Sequence, residues 1–589
     1  MGALLLLAAC LAVYLPGLVT IPIVDRDEAR FAQASRQMFE SVSLAEVVRQ
    51  TEPFERTDSG LLRAGAHAGG LVVPMVQDRP RLKKPPLIYW MQGASAFVLT
   101  AGDPLRDAVW MYRIPSVLGA IVACLATWRL GLSLVDPRAA LLGGLLLAVC
   151  PMVVWDAHQA RADQVLLAMT TLAMWALTRI WVRREDAPSW LPAIGLWLAI
   201  GAGVLTKGPI TPMVVGLSAL GACVITGQWR WLLRTKPIVG AVLLAILVTP
   251  WVIAVGERVG WETMRAIAFD ETLGRSAAPK EGHWGPPGYH LVLLAVLFWP
   301  GSMLTLVAFV RTWRLAVRLP EVEGGRLAGL RRLPSRWRER VVGRDAEVLL
   351  LAWVVPSWIV FELISTKLPH YTLPVYPALA LMSAAAVIDA SRGAMDSASI
   401  QRLRLGLRIW GVIGVALCVA APVGVSLLGG GWLALGVAVL GGGVCFVLIW
   451  RSVGSFDDRY VLKAQAMGVL ASIVFGLVFL GLVLPWASRL WITDRLVASI
   501  EAQDRGEAPI ANVGYHEDSL IYATRGQGLR LEPGQIPSWT RRNPRGLLIA
   551  PAGTGADLLG SGWVVLDTVR GINYAGGRLE NLEILGRER

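Results

Sequence analysis

The stretch Glu347–Asp389, EVLLLAWVVPSWIVFELISTKLPHYTLPVYPALALMSAAAVID, decides the fold class. It holds two apolar runs, 347–365 and 371–389, on either side of a short turn, Thr366–Tyr371, that carries Lys367, Pro369 and His370. Each run approaches the roughly 20 residues that a helix needs to cross a bilayer. Outward from this pair the same pattern recurs near 2–24, 109–132, 139–156, 164–182, 190–206, 209–226, 237–255, 289–310, 407–428, 431–450 and 464–487. That predicts thirteen spanning helices. A further piece, 86–101, is shorter and is interrupted by Gln92 and Gly93. Composition agrees. Of 589 residues, 54% are hydrophobic and 17% charged, too few polar groups to cover several water-facing domains. The formal charge of +13 is read as basic loops on the cytoplasmic side of a membrane protein rather than as a nucleic-acid surface.

Loop charge sets the expected topology. The segment 311–346 carries ten Arg against four acids (Glu321, Glu323, Glu339 and Asp345). With a cytoplasmic N-terminus and 86–101 lying along the surface, this loop and the other Arg-rich loops all fall inside. If 86–101 crossed, every later loop would flip. An interfacial helix after Lys83-Lys84-Pro85-Pro86 is therefore expected there. The outer, periplasmic face then receives the loop 25–108, the turns at 156–163, 206–209 and 366–371, the loop 256–288, and the tail 488–589. Residues 1–487 read as the membrane domain. The tail alternates short apolar runs with Gly-, Pro- and Asn-containing turns, which predicts a small α/β domain at that outer surface. All six cysteines sit in apolar runs, so neither a disulfide framework nor a thiolate metal site is expected. Leu7-Ala8-Ala9-Cys10 looks like a lipoprotein cleavage site, but no Lys or Arg precedes it, and an uncleaved first helix is expected.

Five polar clusters fall on the outer face. In Asp25-Arg26-Asp27-Glu28-Ala29-Arg30-Phe31, Asp27 and Arg30 stand three apart and share a helix face, while Gln33, Arg36 and Gln37 continue a polar side. The plain reading is a solvated amphipathic helix on the membrane; the functional one is a general base beside a phosphate-gripping Arg. Asp78–Trp90, DRPRLKKPPLIYW, brings Arg79, Arg81, Lys83 and Lys84 to the boundary, either as a headgroup anchor or as a site for a lipid-borne phosphate. His158–Asp163 heads a span, where Asp163 also suits the helix dipole. Arg275, Glu281, His283 and His290 form a fourth group; they leave a divalent metal open, although their spacing matches no strong ligand pattern. Lys367, His370 and Tyr371 complete the set. A transporter would place such residues in mid-span on broken helices, whereas these spans are nearly free of charge.

The stretches DRDEARFAQASRQMF, VVPMVQDRPRLKKPPLIYW, Tyr112–Ser116, ARADQ, LTKGP and STKLPHYTLPVYPALALM occur in this order over about residues 5–390. They resemble the GT-C-fold glycosyltransferases of the protein O-mannosyltransferase superfamily, and within it the bacterial aminoarabinose lipid A transferases. The resemblance implies an inner-membrane enzyme that moves a sugar from a polyprenyl (undecaprenyl) phosphate to a cell-envelope acceptor, lipid A or protein. It carries the family's first-loop acid onto Asp27, the phosphate contacts onto Arg30, Lys84, Arg275 and Tyr371, and the second-loop acid onto Asp163. Glu28 is the neighbouring alternative carboxylate, and Lys367 joins the phosphate-binding candidates. Phe31 stands where the family often has Tyr, and 42–69 is an insertion. The rival function is a lipid-binding or flipping protein without catalysis, which has no need of acids at the surface.

Overall fold

The computed structural model describes residues 1–589 except 25, 44–54, 57–61, 64, 66, 275–283, 318–342, 457–459, 507, 560, 575 and 589. The chain opens with α1 (Gly2–Tyr14), α2 (Asp27–Ser43), α3 (Leu87–Leu99), α4 (Val109–Gly131), α5 (Pro137–Ala148), α6 (Pro151–Ala157), α7 (Asp163–Val182), α8 (Trp190–Lys207), α9 (Ile210–Thr226) and α10 (Pro237–Val259). Among the described residues nine helices are long and apolar enough to cross a bilayer: α4, α7, α8, α10, Pro369–Ser391, Asp345–Leu363, Ser397–Leu427, Gly431–Gly454 and Val461–Trp486. The pair α5 and α6, bent by 55° at a short break, makes a tenth.

Among the described residues helix length alone does not confirm the expected count of thirteen, for local reasons. The apolar run 2–24 is helical only to Tyr14, because Pro16 follows and Gly17 sits at φ +83°. The run 209–226 yields the 17-residue α9. The run 289–310 breaks into Tyr289–Leu297 and Ser302–Val317 around Pro300 and Gly301. Apolar length read from sequence ignores these interruptions. The decisive pair behaves as expected, though unequally. Pro369–Ser391 is 94% buried and runs through the middle of the bundle, whereas Asp345–Leu363 is 50% buried; α10, at 11%, lies on the rim.

Helix contacts aim the site. α7 packs against α4 and α8. At the α4–α7 crossing a Cβ on Gly119 would stand 2.7 Å from the backbone of Gln164, so only glycine lets α4 reach the first turn of α7. Ser116 Oγ on α4 also donates to the Arg161 carbonyl at 3.1 Å, fixing the turn that leads into α7.

α2 departs from the expected surface helix. Its polar side is buried, with Arg36 3%, Gln33 2% and Gln37 4% exposed. α3 covers one side, the hairpin of β3 (Met75–Val76) and β4 (Arg79–Pro80) a second, and the helix Asp518–Ala523 a third. Within the 42–69 insertion the described residues include the end of α2 and a second two-residue hairpin, β1 (Glu55–Arg56) with β2 (Leu62–Arg63).

The tail forms one five-stranded sheet, with β5 (Ile510–Asn512), β6 (Leu529–Arg530), β7 (Leu547–Pro551), β8 (Trp563–Asn573) and β9 (Arg578–Arg587) in the order β6-β5-β7-β9-β8. β5 runs parallel to β6 and β7, and the β8–β9 hairpin adds antiparallel, with Leu548 opposite Leu585. Leu548 and Ala550 face one small core with Trp563, while Leu547 and Ile549 face another with Ile492 and Leu496. β7 is covered on both faces, which is why it reads as a continuous apolar run. All six cysteines are buried and unpaired.

Candidate active site

Four of the five outer clusters meet in one open cleft. The first turn of α2 supplies Asp27, Arg30 and Phe31; the strand exit after β4 supplies Arg81, Lys83 and Lys84; the turn into α7 supplies Arg161 and Asp163; and the turn before the central helix supplies Leu368, His370 and Tyr371. Lys207, at the end of α8, closes the far wall. Six cations and two carboxylates line this cleft, and three of the cations are backed by acids outside the lining: Arg30 by Asp518, Lys84 by Glu271 and Arg161 by Asp156.

Asp27 is half-exposed to this cleft. Its Oδ2 lies 3.8 Å from Arg161 Nη2 and its Oδ1 3.9 Å from Arg81 Nη2. Burial pushes its pKa up, but attraction to Arg161 and then Arg81 outweighs that and holds the carboxyl well below the usual range. Asp27 therefore stays ionised through neutral pH. Asp163 is the more deeply held acid. Lys207 bonds to its Oδ1, Arg161 Nη2 lies 3.4 Å from its Oδ2, and His370 Nε2 lies 3.6 Å from Oδ1. Arg161 is the hub: besides Asp27 and Asp163 it reaches Asp156 at 3.3 Å and His370 Nδ1 at 3.2 Å. Lys207 Nζ also stands 5.8 Å from the centre of the Tyr371 ring. Lys84 Nζ lies 3.7 Å from Glu271 Oε2.

Phe31, which lacks the hydroxyl of a Tyr, serves as a platform. Its ring stacks on Tyr89 at 5.3 Å, and the Arg81 guanidinium lies 4.7 Å from its centre. Arg81 Nε donates to the Tyr89 hydroxyl at 3.1 Å, which fixes the guanidinium beside Asp27.

Two sequence candidates lie elsewhere. Glu28 is 1% exposed and sits behind the cleft, in a two-point grip with Arg113 at 2.8 and 3.0 Å. It also accepts the Val24 and Ala160 amides at 2.7 and 2.8 Å, so it braces the loop instead of facing substrate. Adjacent helical residues point about 100° apart, which separates it from Asp27. Lys367 is turned away as well. It donates to the Glu362 carbonyl at 2.5 Å and lies 3.2 Å from the Glu362 carboxylate. The same carboxylate takes the Gly288 and His290 amides, an arrangement that anchors the turn. Arg275, Glu281 and His283 lie outside the described residues. Among the described residues no group of three or more His, Cys, Asp or Glu side chains could hold a metal.

Sequence reasoning assigned no role to Lys207, Arg161 or Asp156. Lys207 stood in the quoted LTKGP and Arg161 in ARADQ, so both were visible as charges at span ends. What was missing was the geometry that brings two such ends together.

The profile of the family described as dolichyl-phosphate-mannose-protein mannosyltransferase matches residues 83–253. The chain is 29% identical over 438 residues to the undecaprenyl phosphate-alpha-4-amino-4-deoxy-L-arabinose arabinosyl transferase of Pseudomonas aeruginosa, covering 71% of this chain and 69% of that protein. It is 25% identical to the protein of that name from Edwardsiella ictaluri, covering 68% and 62%. The crystal structure of ArnT from Cupriavidus metallidurans bound to undecaprenyl phosphate superimposes with TM-score 0.70 and 18% identity, covering 99% of this chain and 97% of the other. Sequence likeness over most of the chain and a shared architecture along nearly all of it make this protein a multi-pass membrane glycosyltransferase of the GT-C fold, similar to the aminoarabinose arabinosyl transferases.

Proposed function

We propose that the chain transfers a sugar from a polyprenyl-phosphate donor to a cell-envelope acceptor such as lipid A or protein, in a cleft that opens to the periplasm. The carrying observation is the cleft itself, where six cations converge beside an ionised, half-exposed Asp27. The names of the sequence relatives support undecaprenyl phosphate as carrier and an amino-pentose as sugar. In the reaction an acceptor oxygen attacks C1 of the sugar while the bond from C1 to the phosphate oxygen breaks, inverting C1. The phosphate leaves with added negative charge, and Arg30, Lys84 and Tyr371 are the residues positioned to hold it, with Arg275 the further candidate from sequence. Asp27 takes the proton of a hydroxyl acceptor, or orients the acceptor when that is itself a phosphate. Asp163 holds Arg161 and Lys207 in place around it.

The test is sugar transfer from a polyprenyl-phosphate donor by purified, detergent-solubilised protein. Lys84→Ala should raise the donor KM by about ten- to a hundredfold, the usual weight of a charge-assisted contact, with unchanged size-exclusion behaviour. Donor binding without any transfer would overturn the catalytic reading.

The orientation is proposed from loop charge and has its own expected result. A reporter fused after residue 589 should read periplasmic and one inserted within 320–340 cytoplasmic. The reverse at either point would turn the cleft away from periplasmic substrates.

A further inference from the structure

Arg30 lines the cleft, and its ion-pair partner among the described residues lies outside the membrane helices. Its Nε donates to Asp518 Oδ2 at 2.5 Å, across 488 residues of chain. Asp518 begins the short helix Asp518–Ala523 of the C-terminal sheet region, and its other oxygen takes Arg530 Nη2 at 3.0 Å. The Asp518 side chain is 7% exposed against 30% for Arg30, so the carboxylate forms the backing and the guanidinium the face.

The segment that carries Asp518 is itself pinned to the first loop. Arg36 Nη1 donates to the Tyr522 carbonyl at 2.6 Å, and its guanidinium lies 3.7 Å from the centre of the Tyr522 ring. Asp107 takes Arg36 Nε at 2.7 Å and, from the C-terminal side, Arg525 Nη1 at 2.9 Å. The Asp107 side chain has no exposure and that of Arg36 only 4%, so the centre of this junction is shielded from solvent, which strengthens its ion pairs.

We propose that Asp518 is a positioning residue for the transfer reaction: the C-terminal region docks on α2 in order to aim Arg30 at the donor phosphate. This rests on the function proposed above. An Arg side chain at the mouth of a cleft has many rotamers, and ordering it on binding weakens affinity. Asp518 supplies that order beforehand. It does so without cancelling the pull on phosphate, because its single charge is shared between Arg30 and Arg530 and the trio stays positive.

The experiment measures binding of undecaprenyl phosphate, and donor KM and kcat, on the full chain in detergent. Asp518→Asn should weaken binding about tenfold and raise donor KM with kcat little changed. Asp518→Glu should recover part of the loss. In an Arg30→Ala background, Asp518→Asn should add nothing further. If Arg30→Ala weakens binding while Asp518→Asn does not, the positioning role is wrong and the phosphate site stands. A full Asp518→Asn penalty that persists in Arg30→Ala also overturns it, because Asp518 would then act through docking alone. If Arg30→Ala itself binds normally, both this inference and the role of Arg30 in the proposed site fail.

Discussion

Asp27→Asn is expected to give a folded, monodisperse protein that transfers sugar about two orders of magnitude more slowly, the lower end of the range for loss of a general base. The substitution keeps size and one hydrogen-bonding oxygen and removes the charge. Stability should hardly change, because Asp27 makes only distant contacts to Arg161 and Arg81, at 3.8 and 3.9 Å, and is open to the cleft. The low pKa sharpens the expectation. Activity from Asp27 as a base should be present at neutral pH and fall only at markedly acidic pH, as the carboxylate takes up its proton. A rate that falls already between neutral pH and pH 5 would contradict the lowered pKa of Asp27, and full activity in Asp27→Asn would remove Asp27 from the chemistry. Full transfer in the variant at pH 7 is sufficient on its own to do so.

Arg113→Ala is expected to do the opposite, destroying the fold before chemistry can be measured. The guanidinium is wholly buried, and each of its five N–H groups is used. Nε and Nη2 grip Glu28 at 2.8 and 3.0 Å, Nη1 donates to the Leu18 and Ile21 carbonyls at 2.9 and 2.7 Å, and Nη2 also reaches the Pro22 carbonyl at 2.8 Å. Truncation leaves the Glu28 charge and the Leu18 and Ile21 carbonyls buried without their partner. Breaking a buried pair in this way costs about 3–5 kcal/mol. The protein should fail to accumulate as a monodisperse species, and any recovered fraction should melt well below wild type. Glu28→Gln should be milder but in the same direction, because the amide still accepts from Ala160 or Val24 while the pairing charge is lost. A normally folded Arg113→Ala would show that the loop does not depend on this brace. An inactive but fully stable Glu28→Gln would return Glu28 to the chemistry.

The class of the molecule is legible in the letters alone, because spanning a bilayer is a local property: about 20 apolar residues in a row suffice, and Glu347–Asp389 states it twice. Asp27 was also legible, because a three-residue spacing to Arg30 is enough to place both on one side of a helix. The alternating tail gave the C-terminal sheet for a similar reason. The rest depends on how distant elements pack. Glu28 and Lys367 look like cleft charges in a row of letters, yet Arg113 and Glu362, 85 and 5 residues away, turn them inward. Arg161 and Lys207 are ordinary charges at span ends until the packing of α7 against α8 joins them through Asp163. The polar side of α2 resembles a solvated face, and no local pattern shows that a helix nearly 490 residues later covers it. Periodicity reports which side of an element is apolar. It cannot report which distant element arrives to neutralise the other side, because an ion pair carries no sequence period.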